Sequence, residues 1–111
     1  MNKKGWLEIK YVTTGEPIRF PVVAVHGVNE GPTLLVMGVM HGSEIAGIEA
    51  AIRLFKEVDP QKLSGILKIG MIFNMPACVN NLGFLISHDG KNPISIFPAS
   101  PIGTYGEAMA N

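Results

Sequence analysis

The stretch from Thr33 to Phe73 constrains the fold more than any other. Thr33 to Met40 (TLLVMGVM) is continuously apolar, the pattern of a strand covered on both faces. Glu44 to Val58 follows, with Ile45, Ile48, Ile52 and Phe55 spaced three, four and three apart as a helical stripe. Glu49 and Arg53 form an i,i+4 pair on the opposite side. Asp59-Pro60 stops this helix, because a proline pushes the residue before it out of the helical region. Ile66 to Phe73 (ILKIGMIF) is a second, mostly apolar strand. Two such strands joined by a helix predict a parallel pair with a right-handed crossover.

The flanking segments add strands on one side and irregular chain on the other. Trp6 to Val12 (WLEIKYV) alternates and is rich in aromatic and β-branched residues, so it reads as a strand. Gly15-Glu16-Pro17 is a turn into a second strand, Ile18 to Val25. These two predict an antiparallel pair. Pro21, which has no N–H to give a ladder, predicts an edge strand or a bulge. Gly27 to Pro32 is a turn. Residues 77–102 hold three prolines and no period, a long irregular loop of the kind found at active sites. Thr104 to Ala110 reads as the start of a helix capped by Thr104. The 111 residues fit a single α/β domain with a mixed sheet and a strand–helix–strand crossover.

Composition removes several function classes. The chain carries nine basic and nine acidic residues, so there is no electrostatic footprint for nucleic acid or an anionic membrane. The longest apolar run is far short of the roughly 20 residues a membrane helix needs. Cys78 is the one cysteine, so no intrachain disulfide forms. The N-terminus MNKKGWLEIK lacks the apolar core of a signal peptide. A cytoplasmic location is the expectation.

The chemistry concentrates at His41-Gly42-Ser43-Glu44, where the apolar strand passes into the helix. In open α/β sheets, ligands bind outside the carboxyl ends of strands. A spacing of three lets His41 and Glu44 reach one point, and zinc accepts both imidazole nitrogen and carboxylate oxygen. Gly42 permits the sharp turn between them. An ordinary capped turn is the other reading: Ser43 is a good N-cap, and Glu44 in a first helical turn suits the helix dipole. The pattern G-x-S-x-G is absent around Ser43, and neither G-x-G-x-x-G nor a P-loop is present. His26 and His88 are the remaining histidines, each a third ligand in principle and a turn or surface residue by local context. Cys78, with no charge nearby in sequence, reads as a structural thiol.

Gly31 to Leu54 (GPTLLVMGVMHGSEIAGIEAAIRL) resembles the first metal motif of the succinylglutamate desuccinylase/aspartoacylase family: an apolar strand, His-Gly-x-Glu, then a glycine-containing helix. Asn74-Met75-Pro76-Ala77 resembles the family's Asn-Pro segment. Asp89-Gly90-Lys91-Asn92, with Phe97-Pro98, resembles its Asp-Gly-Lys-Asp-Leu-Asn-Arg-x-Phe-Pro-Gly segment, and Gly103 with the final GEAMA resembles the helix after it. The resemblance implies a partial zinc-carboxypeptidase-like fold, the N-terminal portion of a deacylase catalytic domain. It implies zinc held by His41 and Glu44, and hydrolysis of small N-acylated amino acids or related substrates by metal-activated water. In the family a third ligand, a histidine, and a general-base glutamate lie further along, so both are expected beyond Asn111.

The departures fall on substrate recognition. Ile94 and Ser95 stand where the family has Asn-Arg, Ala99 replaces the closing glycine, and Ala77 to Lys91 contains no arginine. Bidentate guanidinium groups are the usual grip on a carboxylate. Two readings follow: a zinc-dependent deacylase, inactive as these 111 residues alone, or a non-catalytic module of the same fold. The second would be a remnant, or half of a split protein that pairs with another chain or with itself through an exposed sheet edge.

Overall fold

The computed structural model describes residues 2–10, 17–86 and 89–111. Its sheet contains β1 (Asn2–Lys10), β2 (Pro17–His26), β3 (Asn29–Met37) and β4 (Ser64–Gly70) in the order β1-β2-β4-β3. Helix α1 (Ala46–Glu57) joins β3 to β4, which run parallel from Thr33 opposite Ile66 to Met37 opposite Gly70. β2 is antiparallel to both of its neighbours. The mixed α/β sheet, the antiparallel first pair and the strand–helix–strand unit are those expected from the sequence.

Alternation along the strands divides the core into two layers. Val23, Val25, Leu67 and Ile69 bury one face of the sheet against Ala51 of α1, with Leu54 and Phe55 packed around them. Phe20 on the opposite face meets Phe73, Ile86, Tyr105 and Met109. That second layer is closed by α2 (Met75–Val79), a 3-10 turn at Pro93–Ile96 and α3 (Tyr105–Met109). The Phe20 and Phe73 rings meet edge-on at 5.7 Å, a favoured aromatic geometry.

Three local expectations are corrected. β3 is not covered on both faces: it lies at the sheet edge, and Leu34 and Leu35 are 60% and 55% exposed. Its apolar sequence asks for cover that the described residues do not supply. Pro21 sits in an inner strand, yet it breaks no ladder. β2 pairs with β4 only from Val22 onward, and the Pro21 carbonyl faces Met71 just beyond that pairing. Arg53 pairs with Glu57, one turn after it, rather than with Glu49. No helix among the described residues is long and apolar enough to cross a membrane.

Candidate functional site

The site is built by the bend that follows β3. Gly38 donates to the Gly70 carbonyl at the end of β4, and the Gly38 and Val39 carbonyls accept from Phe73 and Asn74. The ends of the two parallel strands are thereby tied together. Val39, buried at the bend, has φ 53°, a left-handed conformation that is costly for a β-branched residue. His41-Gly42-Ser43-Glu44 follows as a tight turn, with the Glu44 N–H 3.1 Å from the His41 carbonyl. Gly42 has no room for a side chain. A Cβ there would fall on the carbonyl oxygens of Ala77 and Leu82, 2.7 Å from the Ala77 carbonyl carbon.

Asn74, fully buried, braces this turn from the other strand. Its Nδ2 donates to the Met40 carbonyl at 3.3 Å, and its Oδ1 accepts from the Ala77 N–H at 3.3 Å, capping α2. The Asn-Met-Pro-Ala segment thus starts α2 and holds the His41 turn in place.

His41 is 4% exposed, and both of its ring nitrogens face oxygen atoms. Nδ1 lies 2.8 Å from Glu44 Oε1, and Nε2 lies 3.0 Å from Asn92 Oδ1. The second Glu44 oxygen accepts from the His41 backbone N–H at 3.0 Å. The Phe84 ring stands edge-on to the imidazole at 5.2 Å. The Glu44 carboxylate, and then the Asn92 side chain, hold the His41 pKa above its ordinary 6.5. His41 in turn holds Glu44 below its ordinary 4.5. Both effects come from hydrogen bonds to the charged forms, which outweigh the burial of the ring.

The loop after α2 is organised by Asp89. Its carboxylate accepts from the Thr104 hydroxyl at 2.7 Å, the Gly106 N–H at 2.8 Å and the Lys91 N–H at 3.1 Å. Lys91 Nζ meets Glu107 at 2.6 Å, and Glu107 also accepts from the Thr104 N–H. This network fastens α3 to the loop and brings Asn92 up to His41. Sequence reasoning gave Asn92 no role. The signal was its place in the Asp-Gly-Lys-Asn segment, but the 51 residues separating it from His41 hide the contact.

The other sequence candidates fall elsewhere. Ser43 is exposed and does not cap α1, which starts at Ala46 behind Ile45 with no side-chain cap. The Glu44 carboxylate is turned back on the His41 N–H, so the chain makes a separate turn before the helix begins. His26 pairs with Ile66, and β4 runs four further residues, about 13 Å, before Gly70. His26 is therefore at the opposite end of the sheet from His41 and cannot be its third ligand. His88 lies outside the described residues. Cys78 is half-buried in α2.

The donor chemistry of His41 and Glu44 suits two ligand positions of a zinc ion. Their facing atoms already converge, and the Glu44 side chain, 49% exposed, has room to turn. Among the described residues no group of three His, Cys, Asp or Glu is placed to hold a metal. An open groove of about 590 Å³ includes neither His41 nor Glu44 among its lining residues. It is the uncovered apolar face of the sheet between Trp6 and Leu35, and it lacks the converging polar groups of a substrate pocket.

Comparison with known proteins gives the family and the fold. Residues 30–84, which carry β3, the His41 turn, α1, β4 and α2, match the succinylglutamate desuccinylase/aspartoacylase catalytic domain. The chain belongs to the succinylglutamate desuccinylase/aspartoacylase family. Over 95 residues it is 35% identical to an N-alpha-acetyl-L-2,4-diaminobutyric acid deacetylase of Halomonas elongata, covering 85% of this chain and 27% of that protein. An aspartoacylase family protein from Mesorhizobium loti superposes with a TM-score of 0.86 at 30% identity, over 98% of this chain and 34% of its own. The ectoine utilization protein EutE of Ruegeria pomeroyi, solved with bound product, gives 0.84 at 27% identity over the same shares. The fold is therefore that of the zinc-carboxypeptidase-like deacylases, and the chain spans about a quarter to a third of the length of these relatives. At the positions of the family's Asn-Arg pair, Ile94 and Ser95 are both exposed.

Proposed function

We propose that these residues form the first metal-binding half of a zinc-dependent deacylase site acting on small N-acylated amino acids. The observation that carries this reading is the His41–Glu44 pair, converging at 2.8 Å beyond the carboxyl ends of two parallel strands. The relative that deacetylates N-alpha-acetyl-L-2,4-diaminobutyric acid supports the substrate class. When bound, zinc brings a water into the neutral pKa range and polarises an acyl carbonyl.

The chain's own residues prepare that chemistry. His41 offers Nδ1 and Glu44 offers Oε1 from one rigid turn. Asn74 and Gly42 fix the turn against β4 and α2. Phe84 and the burial of the imidazole limit water on the His41 side. Two protein ligands are fewer than the three usual in a catalytic zinc site. The third ligand, the general base and the substrate-gripping groups must come from outside the described residues.

A specific observation favours a second reading, in which the same fold is completed by a separate polypeptide. Among the described residues no strand pairs with the outer edge of β3, its leucines are exposed, and after Pro32 it holds no lysine or proline to protect it. One experiment addresses both readings. Residues 1–111 are assayed for zinc-dependent release of acetate from N-acetyl amino acids, alone and mixed with the part of the Halomonas relative that this chain does not match. No turnover alone, and turnover in the mixture that is lost in His41→Ala, is the expected result. Turnover in the mixture that survives His41→Ala would remove the catalytic reading.

A further inference from the structure

The open edge of β3 carries a main-chain pattern that its own sequence can complete. Gly38 donates to the Gly70 carbonyl and accepts from Phe73, so its polar groups face β4. Alternate residues of a strand bond to opposite neighbours, so Val36 and Leu34 also face β4. The N–H and C=O groups of Thr33, Leu35 and Met37 therefore point away from the sheet, where no described strand pairs with them. Pro32 belongs to the inward set, since a Cβ at Gly65 of β4 would fall on its carbonyl oxygen. Its missing N–H thus removes no outward donor. The pairing with β4 is regular from Thr33 to Met37, after a shift between Asn29 and Thr33. Such a row of intact donors and acceptors is a template for a further strand.

We propose that this edge takes a second copy of itself. Two chains pair through β3, antiparallel about a two-fold axis at Leu35, into one sheet with four strands from each copy. In this register Leu35 faces Leu35, and Thr33 of one copy faces Met37 of the other. Each of these residues donates and accepts a bond across the axis, which uses the whole outward set of the regular segment. An axis at Leu34 would set Met37 against Gly31, beyond the regular segment. One at Val36 would set Thr33 against Val39, whose φ of 53° is not that of a strand. The side chains match as well. Leu34, 60% exposed, comes opposite Val36 on the α1 face. Leu35 and Met37 line the open groove, so the grooves of the two copies join across the axis. Between Glu30 and Glu44 the sequence holds no Asp, Glu, Lys or Arg, so no like charges meet there. Lys68, beside Leu35 on β4, stands three strand spacings, about 14 Å, from Lys68 of the other copy. This pairing does not depend on whether His41 and Glu44 bind metal.

The test uses residues 1–111 with Cys78→Ser, so that each introduced cysteine is alone. Directly opposed Cα atoms lie about 5.5 Å apart, within disulfide reach. Thr33 lies about 14 Å along the strands from Thr33 of the other copy, out of reach. On mild oxidation, Leu35→Cys is expected to cross-link to itself. Thr33→Cys and Met37→Cys are expected to cross-link when mixed and far less when each is alone. The unmutated chain is expected to sediment as a dimer of the 11.9 kDa chain. A monomer throughout, the result if the edge serves another polypeptide instead, overturns the proposal. So does a dimer in which Thr33→Cys joins itself as readily as it joins Met37→Cys, or in which Leu35→Cys stays reduced while keeping the circular dichroism of the unmutated chain. The sedimentation arm uses the unmutated chain, so it decides even where a cysteine variant misfolds.

Discussion

His41 sits between two acceptors, and this governs its behaviour both with and without metal. Its raised pKa means the folded chain holds the imidazole proton more tightly than the unfolded chain. That contribution is complete below the unfolded value of 6.5 and is lost as pH rises through the folded value. The lowered pKa of Glu44 contributes above its unfolded value of 4.5 and is lost as pH falls through the folded one. The pair therefore stabilises the metal-free chain most between pH 4.5 and 6.5, modestly because Glu44 is half exposed. In thermal melts, Glu44→Gln is expected to lower Tm most in that window, with the gap narrowing toward about pH 9; a gap that widens with pH would contradict the assignment. In the proposed site zinc would displace the hydrogen on Nδ1, so binding would release a proton and tighten as pH rises through the His41 pKa. Zinc affinity measured between about pH 6 and 8 is expected to rise, and a flat profile would show that His41 is not the ligand.

At the scale of elements, the site depends on how the turn after β3 is braced. Asn74→Ala leaves the Met40 carbonyl and the Ala77 N–H without their partner in a buried place. The expected cost is about 1–3 kcal/mol in urea unfolding, with a further loss of zinc affinity as the turn loosens. Gly42→Ala drives a methyl into the backbone of Ala77 and Leu82, so destabilisation of about 1–3 kcal/mol is expected. A neutral result for either substitution would mean the turn is held by something else. The main elements were legible in the sequence because the helical stripe of α1 and the apolar runs of β3 and β4 are local patterns. Three details were not. The N-cap role of Ser43 lost to Glu44 turning back on its own strand end. The inner position of Pro21 depended on where β4 stops pairing. Asn92 reaches His41 only after Asp89 and Lys91 have tied the loop to α3.

At the scale of the whole molecule, part of one face of the sheet and one edge are left apolar and open. The groove of about 590 Å³ and the edge of β3 adjoin at Leu35 and Met37. Parallel strands are normally buried on both faces, so the pattern of β3 is that of an inner strand of a larger sheet. Its apolar run was legible in the sequence; its edge place was not, because strand order depends on pairing between distant segments. A chain with such an edge is expected to associate, and sedimentation velocity should find species larger than the 11.9 kDa monomer. The double variant Leu34→Lys with Leu35→Lys should sediment as a monomer; association unchanged by it would place the contact elsewhere. The central claim concerns the metal, and calorimetric titration of zinc into the purified chain tests it most directly. The account predicts one zinc per chain with proton release, lost in both His41→Ala and Glu44→Ala. No binding by the unmutated chain, or the same isotherm in either variant, would contradict it.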